Sequence, residues 1–252
     1  MGDQRGSNAA LTLDQTEIER FAALAEEWWD PNGKFKPLHQ LNPTRLTYIR
    51  DRLCQHFGRD RKELDSLRGL AILDVGCGGG LLCEPLARLG GEVTGLDPAQ
   101  ATIAAAQRHA NSQNLDIRYR AARVEDLARE AERFDAVLVM EVVEHVPDVT
   151  AFLESCAGLL KPGGLMILST INRTLKSYML AIVGAEYVLR WLPIGTHQWD
   201  RFVTPEELAA ALERSDLAVD DTTGMIYSPL ADEWRLSSDV DVNYLAAASR
   251  RA

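Results

Sequence analysis

Two short stretches hold the residues best suited to chemistry. Residues 71–80 read AILDVGCGGG, an apolar run broken by Asp74 and closed by glycines at 76, 78, 79 and 80. Glycine there lets a backbone approach something closely and turn sharply. Asp97 closes the next apolar run, 21 residues after Gly76, and a carboxylate at that place offers two acceptor oxygens to the adjacent hydroxyls of a ribose. A dinucleotide fingerprint is a poor match, because the sixth position after Gly76 and Gly78 is Leu81 rather than glycine. Asp74 separates the ligand classes: a carboxylate beside the loop suits an ammonium group and a sulfonium charge and would repel a pyrophosphate. Without a ligand, Gly76 to Gly80 would form a tight strand-to-helix turn and Asp74 would be an exposed strand-end residue.

The second stretch is Met140-Glu141-Val142-Val143-Glu144-His145-Val146-Pro147. Two carboxylates and an imidazole within five residues could supply a base or hold a hard divalent cation. A group transfer by in-line displacement demands mainly alignment. A phenol, with a pKa of about 10, must also lose its proton. Three roles are open to His145: orienting the loop, relaying a proton, or ligating a metal together with Glu141 and Glu144.

The elements that must carry these stretches alternate regularly. Strands are predicted at Ala71–Val75, Glu92–Leu96, Ile117–Arg120, Phe134–Met140 and Leu165–Thr170, with helices at Leu81–Leu89, Ala99–Ala110, a short segment after Arg120, and Asp148–Leu160. Such alternation implies right-handed βαβ crossovers and a doubly wound, mainly parallel sheet covered on both faces. Both chemical stretches then fall at carboxyl ends of strands, where such sheets bind ligands. Two helices are predicted to precede the sheet, one from Thr16 to Asp30 and one starting near Asn42-Pro43 with Leu46, Ile49, Leu53 and Phe57 inward. Thr204-Pro205-Glu206-Glu207 is a capping box opening a helix to Ser215. Leu217–Thr223 and Val242–Ala247 read as closing strands, a hairpin on the sheet edge. Residues 1–16 are small, polar and aperiodic and are predicted disordered. Residues 17–252 then form one domain.

Composition narrows the partners. The chain has 252 residues and a formal charge of -10, with Asp plus Glu outnumbering Lys plus Arg 37 to 27, which argues against a nucleic-acid surface. Cys54, Cys77, Cys83 and Cys156 have no CxxC spacing, so neither a zinc site nor a disulfide framework is implied, in keeping with a reducing cytosol. No apolar run reaches the roughly 18 to 20 residues that span a bilayer.

The aspartate-glycine loop, Asp97 and the Lys161-Pro162-Gly163-Gly164 turn resemble the class I S-adenosylmethionine-dependent methyltransferases. More particular segments narrow this: Trp28-Trp29-Asp30, Asn42-Pro43-Thr44-Arg45, Ser169-Thr170-Ile171-Asn172-Arg173, Val183–Tyr187, Gly195-Thr196-His197 and Asp241-Val242-Asn243-Tyr244 resemble the ubiquinone-biosynthesis O-methyltransferase family. The resemblance runs from about Ile18 to the end of the chain. It implies a seven-stranded Rossmann-like sheet and O-methylation of polyprenylated phenols and catechols, at two steps of ubiquinone biosynthesis. It also implies cofactor contacts at Arg45, Asp74, Gly76, Gly78, Asp97 and Met140, catalysis by His145, and Mg²⁺ or another divalent cation at Glu141, Glu144 and His145. A cytoplasmic enzyme held peripherally at the inner face of the membrane, alongside other proteins of the pathway, is the matching expectation. Residues 174–199 are more than the minimal fold needs and dense in apolar residues. They are expected to form a helical lid over the acceptor that touches anionic membrane, or a buried hairpin completing the core. Two rivals remain: methylation of another small acceptor, and a non-catalytic nucleotide-binding protein in a complex.

Overall fold

The computed structural model describes residue 19 and residues 24–180 and 199–250. Residues 16–18 and 20–23 of the predicted first helix, and residues 181–198 of the expected lid, lie outside them. The described part of the first helix is a 3-10 turn, Ala25–Glu27.

Helix α1 spans Lys36–His56, earlier than the predicted start at Asn42-Pro43. Pro37 takes the first-turn place, where a missing N–H costs nothing. Pro43 lies inside the helix, at a cost of about 3 kcal/mol that burial of Leu41, Tyr48, Ile49 and Leu53 offsets. The alternation then follows as β1 Ala71–Val75, α2 Cys83–Arg88, β2 Glu92–Asp97, α3 Gln100–Ser112, β3 Arg118–Ala121, α4 Val124–Ala128, β4 Phe134–Met140, α5 Val149–Gly158 and β5 Leu160–Ile171. After α6 Pro205–Arg214 come β6 Leu217–Ser228, β7 Glu233–Ser237 and β8 Asn243–Arg250. Thr204 and Glu207 form the predicted capping box at α6.

The described strands form one eight-stranded sheet in the order β3-β2-β1-β4-β5-β8-β6-β7, one strand more than expected. Strands β1 to β5 pair in parallel. The two closing strands do pair antiparallel, but not as an edge hairpin: β8 runs between β5 and β6, and β7 takes the edge beside β6. The extra strand escapes a sequence reading because β7 reads EWRLS, exposed and polar, whereas the alanine-rich β8 is buried through Tyr244–Ala248. The strand order reverses between β1 and β4, which opens the ligand crevice at their carboxyl ends.

Alternate residues feed two cores. Leu73, Val75, Val137 and Val139 pack with Phe152 and Leu153 of α5 and Leu208 and Leu212 of α6. Ile72, Ala136 and Leu138 pack on the other face with Ile49 and Leu53 of α1, Leu86 of α2 and Ile103 of α3. Each fully buried Leu or Ile contributes about 1.5–3 kcal/mol, so the strands presenting the chemical residues are held from both sides.

Candidate active site

The glycine loop leaves β1 and is pinned to the β2 backbone: Gly76 and Cys77 N–H donate to the Leu96 carbonyl at 2.7 and 3.0 Å. Gly76, Gly78 and Gly80 have φ of +72°, +53° and +85°, a region L side chains rarely adopt. Their missing side chains also make room for protein. A Cβ on Gly76 would lie 2.6 Å from Val142 Cγ2, one on Gly78 or Gly79 would fall into Trp28, and one on Gly80 would strike the Tyr119 hydroxyl. The close approach implied by the glycines is therefore made in part by Val142, Trp28 and Tyr119.

Asp97 lies across from the loop. Its Oδ2 accepts from Gly78 N–H at 3.2 Å and its Oδ1 from Ala99 N–H at 2.9 Å, which leaves each oxygen a further lone pair. Burial pushes its pKa up to about 6, against the pull of those two N–H groups. Asp74 is 2% exposed rather than an open strand end. Its Oδ2 accepts from the Cys83 thiol at 3.2 Å. Burial raises its pKa to about 7, with the Cys83 bond and the Arg45 charge opposing and Asp97 adding.

Arg45 reaches the same crevice from α1 and is buried. Its Nη2 lies 3.0 Å from Glu141 Oε1, yet the angle makes no hydrogen bond, and Nε and Nη2 remain buried without an acceptor. Two such donors fit a carboxylate. Met140 ends β4 and is buried. Glu141 follows at φ +55°, a costly conformation for a side-chain residue that the surrounding contacts must hold. Those contacts are Glu141 N–H to the Ser169 carbonyl at 3.0 Å and Ser169 Oγ to Glu141 Oε1 at 2.8 Å.

The 3-10 turn Val143–His145 carries the next two residues. Glu144 is buried and accepts from Thr170 Oγ1 at 2.8 Å; burial, then the Glu141 charge, raises its pKa. His145 is half-buried at the end of the turn. Glu141 is turned to Arg45 and Ser169 and Glu144 to Thr170, so the expected metal trio does not converge. Among the described residues no group of three His, Cys, Asp or Glu could hold a metal ion, and as arranged these side chains do not fit a shared cation.

Sequence reasoning missed Ser169 and Thr170 as partners of the two glutamates, Cys83 as partner of Asp74, and Trp28 as a wall of the loop. The only sequence signal for the last was the adjacent tryptophan pair itself.

Comparison with known proteins settles the family. The methyltransferase-domain family matches residues 73–168, from β1 almost to the end of β5. The chain is 57% identical over 237 residues to the ubiquinone biosynthesis O-methyltransferase of Nitrobacter winogradskyi, covering 94% of this chain and 90% of that one. It is 56% identical over 244 residues to that of Brucella ovis, covering 97% and 98%. The chain belongs to the ubiquinone biosynthesis O-methyltransferase family. The fold agrees: a Synechocystis magnesium protoporphyrin IX methyltransferase with bound SAH superposes at a TM-score of 0.62 and 19% identity, covering 94% of both chains. A Thermotoga maritima protein, a possible histamine N-methyltransferase, superposes at 0.61 and 16% identity, covering 93% of this chain and 99% of that one. The identity to the family's members extends well beyond the methyltransferase-domain match, over α1, the residues after β5 and the antiparallel strands.

Proposed function

We propose that this S-adenosylmethionine-dependent O-methyltransferase acts on hydroxyls of polyprenylated phenols and catechols in ubiquinone biosynthesis, with the donor held between Asp74, the glycine loop and Asp97. The observation that carries this reading is identity of 57% over nearly the full chain to an enzyme of that name. S-adenosylmethionine supplies an electrophilic methyl on a sulfonium. Asp97 accepts the ribose hydroxyls through its remaining lone pairs, Nε and Nη2 of Arg45, which make no hydrogen bond within the protein, take the methionyl carboxylate, and Asp74 faces the ammonium group. Met140 and the backbone of Gly76 and Gly78 close the walls. His145, on the loop after β4, accepts the proton of the acceptor hydroxyl at its imidazole and so raises the nucleophilicity of the oxygen. Residues 17–252 work as one domain.

Membrane contact is proposed from the residues on either side of 181–198. Leu175, Tyr178, Met179 and Leu180 are 77%, 42%, 53% and 55% exposed and Trp199 is 41% exposed, and Trp199 Nε1 donates to the Thr174 carbonyl at 3.0 Å, so the two flanks meet. Exposed apolar side chains on adjoining flanks suit an interaction site, and aromatic residues favour the interface of a bilayer. Lys176 beside them pairs with Asp239 and Asp241. No helix among the described residues is long and apolar enough to cross a membrane.

The test is calorimetry with S-adenosylmethionine and NAD, followed by methyl transfer to a catechol. Binding of S-adenosylmethionine alone, with transfer to the catechol oxygen, is the expected result. Binding without transfer to any phenol or catechol would overturn the acceptor class and leave methylation of another acceptor or a non-catalytic nucleotide-binding protein.

A further inference from the structure

The glycine loop is held from outside by a dipeptide far upstream in the chain. Trp28 is buried, stacked on Phe35 with centroids 3.9 Å apart and planes at 11°. Its indole fills the space where side chains of Gly78 and Gly79 would stand. Trp29 donates from Nε1 to the Gly79 carbonyl at 2.9 Å. The Trp29 ring also lies flat on His109 of α3, centroids 3.5 Å apart and planes at 6°. His109 is in turn fixed by Nδ1 at 2.6 Å from Glu84 Oε1 of α2, a buried carboxylate. Glu26 pairs with Arg108 beside it.

These contacts join the two walls of the crevice. The loop carries Gly78, whose N–H bonds Asp97, and α3 begins just after Asp97. Trp29 touches both. A second observation marks the same place: Trp28 Nε1, Tyr119 OH and Arg45 Nε and Nη2 are buried without a hydrogen-bond partner. Trp28 and Tyr119 touch the loop, and the Arg45 charge acts on Asp74. Others, on Arg52, Ser66 and Thr102, are in the same state; native interiors leave few such atoms, and three residues carrying them beside one loop and its aspartate are what a polar ligand there would satisfy.

We infer that Trp28 and Trp29 are positioning residues for the methyl donor, Trp28 shaping the Gly78–Gly79 backbone by filling its side-chain space and Trp29 fixing the distance between that loop and α3. The inference rests on the S-adenosylmethionine reading and goes beyond it, since neither tryptophan needs to touch the reacting atoms. Donor affinity then depends on a segment that precedes the sheet, and acceptor handling does not.

The experiment uses the full chain and three variants, Trp28→Ala, Trp28→Phe and Trp29→Phe, each checked for thermal stability. Trp28→Ala should raise Kd and KM for S-adenosylmethionine at least tenfold, with KM for a catechol within twofold of wild type. Trp28→Phe should restore most of the affinity, because a ring still covers the loop. Trp29→Phe keeps the stack and loses the N–H, and should weaken binding about threefold. Titration with S-adenosylhomocysteine should change the tryptophan emission of the wild type, and Trp28→Phe should lose most of that change. Should Trp28→Ala fail to fold, the affinity of Trp29→Phe and the emission of Trp28→Phe decide. Wild-type affinity in Trp29→Phe together with an unaltered emission change in Trp28→Phe overturns the inference. If the wild type itself binds no S-adenosylmethionine, the cofactor reading fails and takes this one with it.

Discussion

The carboxyl ends of β1 and β2 differ from those of β4 and β5 in what holds them. At the first, backbone N–H groups are the donors throughout: Gly76 and Cys77 bond the Leu96 carbonyl, and Gly78 and Ala99 bond the Asp97 carboxylate. At the second, side chains hold side chains, Ser169 to Glu141, Thr170 to Glu144, and Arg45 against Glu141. A donor shared by many methyltransferases needs a fixed cradle, and backbone geometry supplies one. An acceptor site can be retuned by exchanging individual side chains, and the β4–β5 end, the proposed acceptor side, is built in that replaceable form. Further out, the flanks of residues 181–198 leave Leu175 and Tyr178 open to solvent, the opposite extreme to the loop beneath Trp28.

The largest expected effect separates the two ends by chemistry. His145→Ala should lower kcat about 10²- to 10⁴-fold, the usual worth of a general base, while calorimetric Kd for S-adenosylmethionine stays within twofold. A loss of donor affinity of the same size would make His145 part of the cradle and break the division.

Asp97→Ala tests the other end. Losing hydrogen bonds to a charged acceptor costs about 1.5–3 kcal/mol, so Kd for the donor should rise about 10- to 150-fold. KM for the catechol should hardly move, and an unchanged donor Kd would remove the ribose assignment.

Acidity sharpens the contrast, because the cradle carboxyls have raised pKa values of about 7 for Asp74 and about 6 for Asp97. The folded ligand-free protein holds these protons more tightly than the unfolded chain. Their contribution to stability is thus full below the unfolded pKa of about 4 and is lost as pH rises through about 6 to 7. Binding a cationic donor favours the ionised carboxylates, so donor affinity should run the other way and strengthen about tenfold from pH 5.5 to 8. Asp74→Asn should flatten most of that profile in calorimetry. A donor affinity independent of pH in the wild type would place the ligand's positive charge away from both carboxyls.

The smallest effect on the protein itself is expected at the exposed flank. Changing Leu175 and Tyr178 to serine should alter stability by no more than about 0.5 kcal/mol and leave Kd for the donor unchanged. Sedimentation with anionic liposomes, and turnover of long-tailed acceptors relative to a tail-less catechol, should fall. Undiminished liposome binding would move the membrane contact elsewhere.

Much of this protein was legible before folding. Alternation of apolar runs with helical spacing determined the parallel β1–β5 sheet, because period 2 and period 3.6 are local properties of the chain. The glycine turn from Gly76 to Gly80 was legible too, since positive φ at a strand-to-helix turn is a demand met by residue type. Tertiary structure alone decided the rest. Trp28 reaches Gly78 across 50 residues, and Arg45 reaches Glu141 across 96. The insertion of β8 between β5 and β6 and the divergence of Glu141 and Glu144 toward separate hydroxyls of β5 leave no local pattern. Spacing along one strand end put Glu141, Glu144 and His145 together. The side-chain directions, set by Glu141 at φ +55° and by partners from a neighbouring strand, drew the carboxylates apart, because charge and hydrogen bonding act through space while sequence records only order along the chain.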